Sequence, residues 1–237
     1  MRWRGRAESG NVEDERGSGG SGGGFGGFGG GGIRLGGGAT ILIIIISLIL
    51  GKNPLSLLNA VQGGQADGQP NQEQPLAPAQ NTEDDSAAHF VAVVLETTEQ
   101  VWAKQFAAMG KTYRKPILRL FRGQTQSGCG GASAASGPFY CPADERLYID
   151  LSFYDELKSR FGAPGDFAMA YVVAHEIGHH VQNLLGTSAK LDAARGQVPE
   201  AEYNKLSVRL ELQADFYAGI WAHDADKDLH VDRKSVV

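Results

Sequence analysis

Apolar side chains are distributed unevenly along this chain. They are sparse up to Gly38, dense from Ala39 to Gly51, and sparse again through residues 62–88. From about Phe90 they recur with regular spacing. The run Ala39–Gly51 carries no charge and no helical amphipathicity. Its dense part is 12 residues, and counting from Ile33 to Gly51 gives 19 with Arg34 at one edge. A helical membrane span needs about 20 apolar residues, and an edge arginine can snorkel. The pattern predicts one transmembrane helix with its core at 39–51 and its full span at about 33–51, stopped by Lys52-Asn53-Pro54. Arg2, Arg4, Arg6, Arg16 and Arg34 precede the run, and only Lys52 follows it closely. The positive-inside tendency then places the N-terminus in the cytoplasm and the rest outside.

Downstream, the period changes from element to element. Phe90–Leu95 is apolar, and Thr97 or Thr98 is positioned to cap a following helix. Val101, Trp102, Phe106 and Met109 then fall on one helical face, ended by Gly110. Pro116–Phe121 alternates loosely and predicts a strand. Phe139–Pro142 and Arg146–Tyr154 predict two more, with a turn near Pro142–Glu145. A short helix over Asp155–Phe161 is broken by Gly162–Gly165. The main helix runs from about Asp166 to Leu185, with Gly186 as its stop. Thr187–Gly196 is polar, and a last long helix opens at Pro199-Glu200 and runs to about His223.

Composition sharpens these boundaries. Most of the 33 glycines lie in the first 70 residues, so 1–38 reads as a disordered, glycine-rich cytoplasmic tail. Residues 52–88 read as a flexible linker, 89–225 as the folded domain, and 226–237 as an atypical charged end. A net charge of −5 gives no support to a nucleic-acid partner. Two cysteines are too few for a disulfide scaffold or a four-cysteine zinc site. Cys129 and Cys141 are expected to form one bridge if the domain is extracytoplasmic, and otherwise to be two free buried thiols. The stretch Gly123–Gly137 lacks both the G-K-[ST] ending and the G-x-G-x-x-G spacing of phosphate loops.

The chemistry concentrates in the main helix. His175-Glu176-Ile-Gly-His179 is H-E-x-x-H, and residues four apart share a helical face. His175 and His179 can therefore grip one metal ion. Glu176 projects beside them, where it can take a proton from a metal-bound water. Ala170, Val172, Val173, Ala174, Ile177, Gly178 and Val181 are apolar, so the helix is buried, and ionisable groups there are costly unless something binds them. Gly178 leaves room for close backbone approach. A catalytic zinc takes three protein ligands. Glu211 is the best third, with Asp215 one turn on to accept a hydrogen bond from a ligating histidine. His180 points about 100° away and reads as a supporting or core residue. His223 lies about 18 Å beyond Glu211 along its helix, and His230 sits in the charged end.

These stretches together resemble the bacterial neutral zinc metallopeptidase family, of gluzincin type. The resemblance rests on Gly137-Pro-Phe-Tyr140-Cys141-Pro, on Tyr148-Ile-Asp-Leu-Ser-Phe153, on His175–Gln182 and on Arg209-Leu-Glu-Leu-Gln-Ala-Asp215-Phe-Tyr-Ala-Gly219. Met1-Arg-Trp-Arg-Gly-Arg6 with Asn11-Val-Glu-Asp14 adds to it, and it extends to about Ala222. It implies an α+β, zincin-like domain, mainly helical with a small sheet, anchored to the membrane by one N-terminal helix. It implies Zn2+ held by His175, His179 and Glu211, with Glu176 as general base and a peptide or protein as substrate. Similarity to zincins suggests the strand Arg146–Phe153 as the sheet edge that pairs with an extended peptide. Family members usually continue for several tens of residues past this point, so the chain is expected to be truncated or altered at its end. Tyr217 and His223 are the candidates for stabilising an oxyanion. The rival expectation is a zinc-bound module that binds peptides or envelope proteins without hydrolysing them.

Overall fold

A computed structural model describes residues 1–16, 82–133, 136–159 and 166–229. The expected span at 33–51, and the parts of the expected tail, linker and charged end that fall on 17–38, 52–81 and 230–237, lie outside the described residues. Among the described residues, no helix is long and apolar enough to cross a membrane.

The described chain is a mixed α/β fold of five helices, one four-stranded sheet and one two-stranded sheet. The larger sheet has the order β1 (Val12–Asp14), β2 (Ile117–Phe121), β6 (Arg146–Asp150), β5 (Phe139–Cys141). β1, β2 and β6 run parallel, and β5 pairs antiparallel with β6 across the expected turn. β6, expected to be the edge, is therefore internal, and the two edges are β1 and β5. Alternation marks a strand but does not rank it within a sheet.

α1 (Thr82–Ala108) is one continuous helix that starts before the expected boundary at residue 89. Thr97 and Thr98 do not cap anything. Their hydroxyls donate to the carbonyls of Val94 and Leu95, the back-bonding that admits threonine to a helix interior. α2 (Ser152–Ser159), α3 (Asp166–Leu184), α4 (Thr187–Ala194) and α5 (Glu200–Leu229) follow. α2 begins three residues earlier than expected, because Asp150 accepts hydrogen bonds from the backbone and hydroxyl of Ser152. α5 continues past His223. Gly110 and Gly186 take left-handed φ of 69° and 74° where helices end, a conformation that suits glycine.

The core lies between the sheet and α1, α3 and α5. Phe90, Val94, Leu118, Ile149, Val173, Ile177 and Trp221 are buried in one cluster. Burying such a side chain contributes about 1.5–3 kcal/mol, so α3, buried along most of its length, is fixed from several sides. The glycine-rich stretch after β2 forms a hairpin, β3 (Gln124–Ser127) with β4 (Gly130–Ser133), that the sequence pattern did not predict. The expected Cys129–Cys141 disulfide is present and ties this hairpin to β5.

Residues 1–16 depart most from expectation. They do not form a disordered tail. β1 pairs with β2, and Met1, Trp3 and Val12 pack against the main core.

Candidate metal centre

α3 presents His175 and His179 on one face, as the i, i+4 spacing requires. α5 crosses it and presents Glu211 opposite them. The Nε2 atoms of both histidines lie 3.4 Å from Oε2 of Glu211. A tetrahedral zinc with bonds of about 2.1 Å holds its ligands about 3.4 Å apart. The three ligand atoms lie within 4.8 Å of one another, and the cluster contains no fourth His, Cys, Asp or Glu among the described residues. Two imidazoles and one carboxylate, with a position left open, are the donor set of a catalytic rather than a structural zinc. The residues therefore fit the ion.

The far ring nitrogens carry the same message. Nδ1 of His175 lies 3.0 Å from Oδ1 of Asp215, which also accepts the hydroxyl of Tyr171 at 2.8 Å. Nδ1 of His179 lies 2.9 Å from Oε1 of Gln182. Both partners are acceptors there, so both imidazoles carry hydrogen on Nδ1 and turn Nε2 toward the cluster, where its lone pair is available to a metal once any proton on it is lost. Gln182 is fully buried, and its amide nitrogen donates to the carbonyl of Leu210, next to Glu211, at 2.6 Å. One side chain thus orients a histidine on α3 and grips the ligand-bearing turn of α5.

Glu176 is buried, and its Oε2 accepts the backbone N–H of Tyr140, on edge strand β5, at 2.9 Å. Burial pushes its carboxyl above the ordinary range, opposed mainly by the neighbouring histidines. In Glu211, burial pushes upward, but hydrogen bonds from His175 and His179 prevail and take it down to about 2. In His175, burial pushes downward, but Asp215 and Glu211 prevail and lift it to about 10. The side chains of His179 and Glu211 are 20% and 17% exposed against 3% for His175, so solvent enters from the His179–Glu211 side.

The structure brings His175, His179, Glu176, Glu211 and Asp215 together as the spacing predicted. It leaves the other candidates out. His180 is fully buried, with Nε2 donating to the carbonyl of Arg114 at 2.7 Å and Nδ1 accepting the Tyr140 hydroxyl at 3.0 Å. Burial holds it below its ordinary value, so it is a neutral structural residue. Tyr217 stacks edge-on against Trp102, and His223 is exposed beside Asp224. Neither joins the cluster. Gln182 and the Tyr140 N–H were not identified from sequence. Gln182 follows His179 by three residues, which places it on the same helical face. A backbone group leaves no sequence signal.

Comparison with known proteins bears on the same residues. The family model described as "Putative neutral zinc metallopeptidase" matches residues 1–236. YpfJ of Escherichia coli strain K12, described as uncharacterized, is 49% identical over 225 residues, covering 94% of this chain and 75% of that protein. Rv2575 of Mycobacterium tuberculosis, described in the same way, is 50% identical over 115 residues, covering 48% of this chain and 37% of that protein. No solved structure matches the chain. With the family match running the length of the sequence and the zinc-type cluster at its centre, the chain belongs to the neutral zinc metallopeptidase family.

Proposed function

We propose that this chain is a zinc-dependent peptidase with Glu176 as its general base. The observation that carries the reading is the position of Glu176. The carboxylate is close enough to His175, His179 and Glu211 to feel their charges, and the Tyr140 N–H engages its Oε2. Zinc bound by the three ligands would polarise a scissile carbonyl and acidify a water. Glu176 would take that water's proton and deliver it to the leaving amine, and burial, by raising its pKa, suits it to hold the proton in between. Asp215 and Gln182 keep both histidines in the ligating tautomer. Edge strand β5 adjoins the site through Tyr140, which favours an extended peptide laid along it as substrate.

The deciding experiment is Glu176→Gln. The variant should bind one equivalent of zinc with near-normal affinity and cleave no member of an unbiased peptide library that the wild type cleaves. Cleavage by the variant at the wild-type rate would sink the mechanism. A wild type that binds peptides but cleaves none would favour the non-hydrolytic module.

Membrane attachment is part of the proposal on sequence grounds alone, through the uncharged run Ala39–Gly51. The Cys129–Cys141 disulfide supports an oxidising, extracytoplasmic compartment for the body of the protein. Sedimentation with membranes, resistant to high salt and released by detergent, tests the attachment.

A further inference from the structure

The N-terminal sixteen residues are built into the folded body at several separate points. β1 lies in the sheet beside β2, in register from Val12–Leu118 to Asp14–Leu120. The pairing is continued by Leu118 N–H to the Asn11 carbonyl at 2.9 Å and Glu15 N–H to the Leu120 carbonyl at 2.8 Å. Glu13 takes Arg119 of β2 at 3.0 Å and Arg146 of β6 at 3.2 Å. The carboxylate of Glu99 is 1% exposed on α1, and its Oε1 is satisfied by Ser9 and Asn11, each at 2.8 Å. Trp3 packs edge-on against Phe90 at 5.4 Å, and its indole N–H donates to Asp166, the first residue of α3. Arg2 N–H donates to the carbonyl of Leu229 at 2.8 Å.

Removing this segment would leave a buried Glu99 oxygen without those partners and open the edge of β2. A buried acceptor stripped of its hydrogen bonds is costly. The family match also begins at residue 1. The segment is therefore a component of the fold, not an appendage that happens to touch it.

Where the chain leaves and returns is equally defined. Arg16, the last described residue of the segment, lies 3.3 Å from Asp85 in the first turn of α1. Arg16 and the first turn of α1 thus lie at the same patch of surface. A single membrane crossing between Arg16 and Thr82 would put its two ends on opposite sides. Three of the arginines that suggested a cytoplasmic N-terminus are engaged in this fold: Arg16 pairs with Asp14 and Asp85, Arg4 lies over the Trp3 ring, and Arg6 donates to the Arg2 carbonyl.

We infer that Met1–Arg16 and residues 82–229 fold together in one compartment, so that residues 17–81 begin and end on the same side of any membrane they meet. This replaces the expected cytoplasmic N-terminus with an extracytoplasmic body. It rests on the N-terminal contacts and not on the peptidase reading.

The test uses full-length protein with one cysteine added at a time, Ala7→Cys in the N-terminal segment and Ala193→Cys in α4, both at exposed positions. Intact cells, permeable to small solutes only as far as the inner membrane, are treated with a membrane-impermeant maleimide, and lysed cells serve as the control. The expected result is the same labelling at both positions: both labelled before lysis, or both only after it. Labelling of one before lysis and of the other only after it would overturn the inference. A second measurement addresses the contacts directly. The double variant Trp3→Ala with Val12→Asp, in the purified full chain, should lower Tm by roughly 5 °C or more. An unchanged Tm would also overturn it, because a fold component cannot be unpaired without effect.

Discussion

Gly178 of α3 lies directly against Ala214 of α5: a Cβ at position 178 would stand 2.9 Å from the Ala214 carbonyl oxygen and 3.0 Å from its Cα. The obstacle is backbone, which cannot rotate aside. This contact sets the distance between the two helices, three residues from His175 on one and three from Glu211 on the other. The cluster depends on it, because Glu211 reaches both Nε2 atoms only at this separation.

Gly178→Ala is therefore expected to weaken zinc binding and stability together. Alanine gains up to about 1 kcal/mol of helix propensity, but overpacking of this kind costs about 1–3 kcal/mol. Chelator competition should show a weaker zinc complex, and the metal-free protein should melt lower. Wild-type values in both would mean that the helices part without disturbing the ligands.

Gln182→Leu and Asp215→Ala should each weaken zinc binding by about 10–100-fold, the usual consequence of removing a group that orients a ligating histidine. Gln182→Leu should also lower the stability of the metal-free protein, because it leaves the Leu210 carbonyl and His179 Nδ1 without their buried partner. Tyr171→Phe removes only the second donor to Asp215 and should have a smaller effect on zinc. Titration of each variant against a zinc indicator gives the ranking. A Gln182 variant that binds zinc normally would reduce Gln182 to a packing residue.

The pH dependence follows from the signs. In metal-free protein His175 is lifted from 6.5 to about 10, so its contribution to stability is full below 6.5 and is lost as pH rises toward 10. Glu211 is lowered from 4.5 to about 2, so its contribution is full above 4.5 and is lost as pH falls toward 2. From these two groups, metal-free Tm should peak between pH 4.5 and 6.5. Zinc needs neutral imidazoles, so loading it near neutral pH should release about one to two protons from His175 and His179. Calorimetry in buffers of different ionisation enthalpy measures that number. A value of zero would mean that the histidines are already neutral.

The part of this site that was legible in the sequence is the part built on helical periodicity. H-E-x-x-H and E-x-x-x-D each put two groups on one face, and apolar flanks marked α3 as buried; on α5 the same kind of flank misleads, because Leu212 and Phe216 are exposed. Periodicity does not say which strand lies at a sheet edge, so β6 was read for β5. Nor does it register strands held by distant polar partners. β1 has little apolar content, and its place is set by Glu13 with Arg119 and Arg146 and by Ser9 and Asn11 with Glu99, partners more than 80 residues away. The β3–β4 hairpin is glycine-rich and offers no hydrophobic alternation to read.

The disulfide separates stability from chemistry. Cys141 is buried in β5 next to Tyr140, whose N–H holds Glu176, and Cys129 lies in the neighbouring hairpin. The bridge spans 12 positions of sequence, and closing a loop of that size contributes about 2–4 kcal/mol. Replacing both cysteines with serine should remove about that much stability. All three zinc ligands sit on α3 and α5, so zinc affinity should change little. Hydrolysis should fall further than zinc binding, because a loosened β5 no longer fixes the Glu176 carboxylate or the strand proposed to seat the substrate. Thermal melts, zinc titration and kcat measured on the same double variant distinguish these effects. Loss of zinc in step with activity would show that β5 supports the metal site itself.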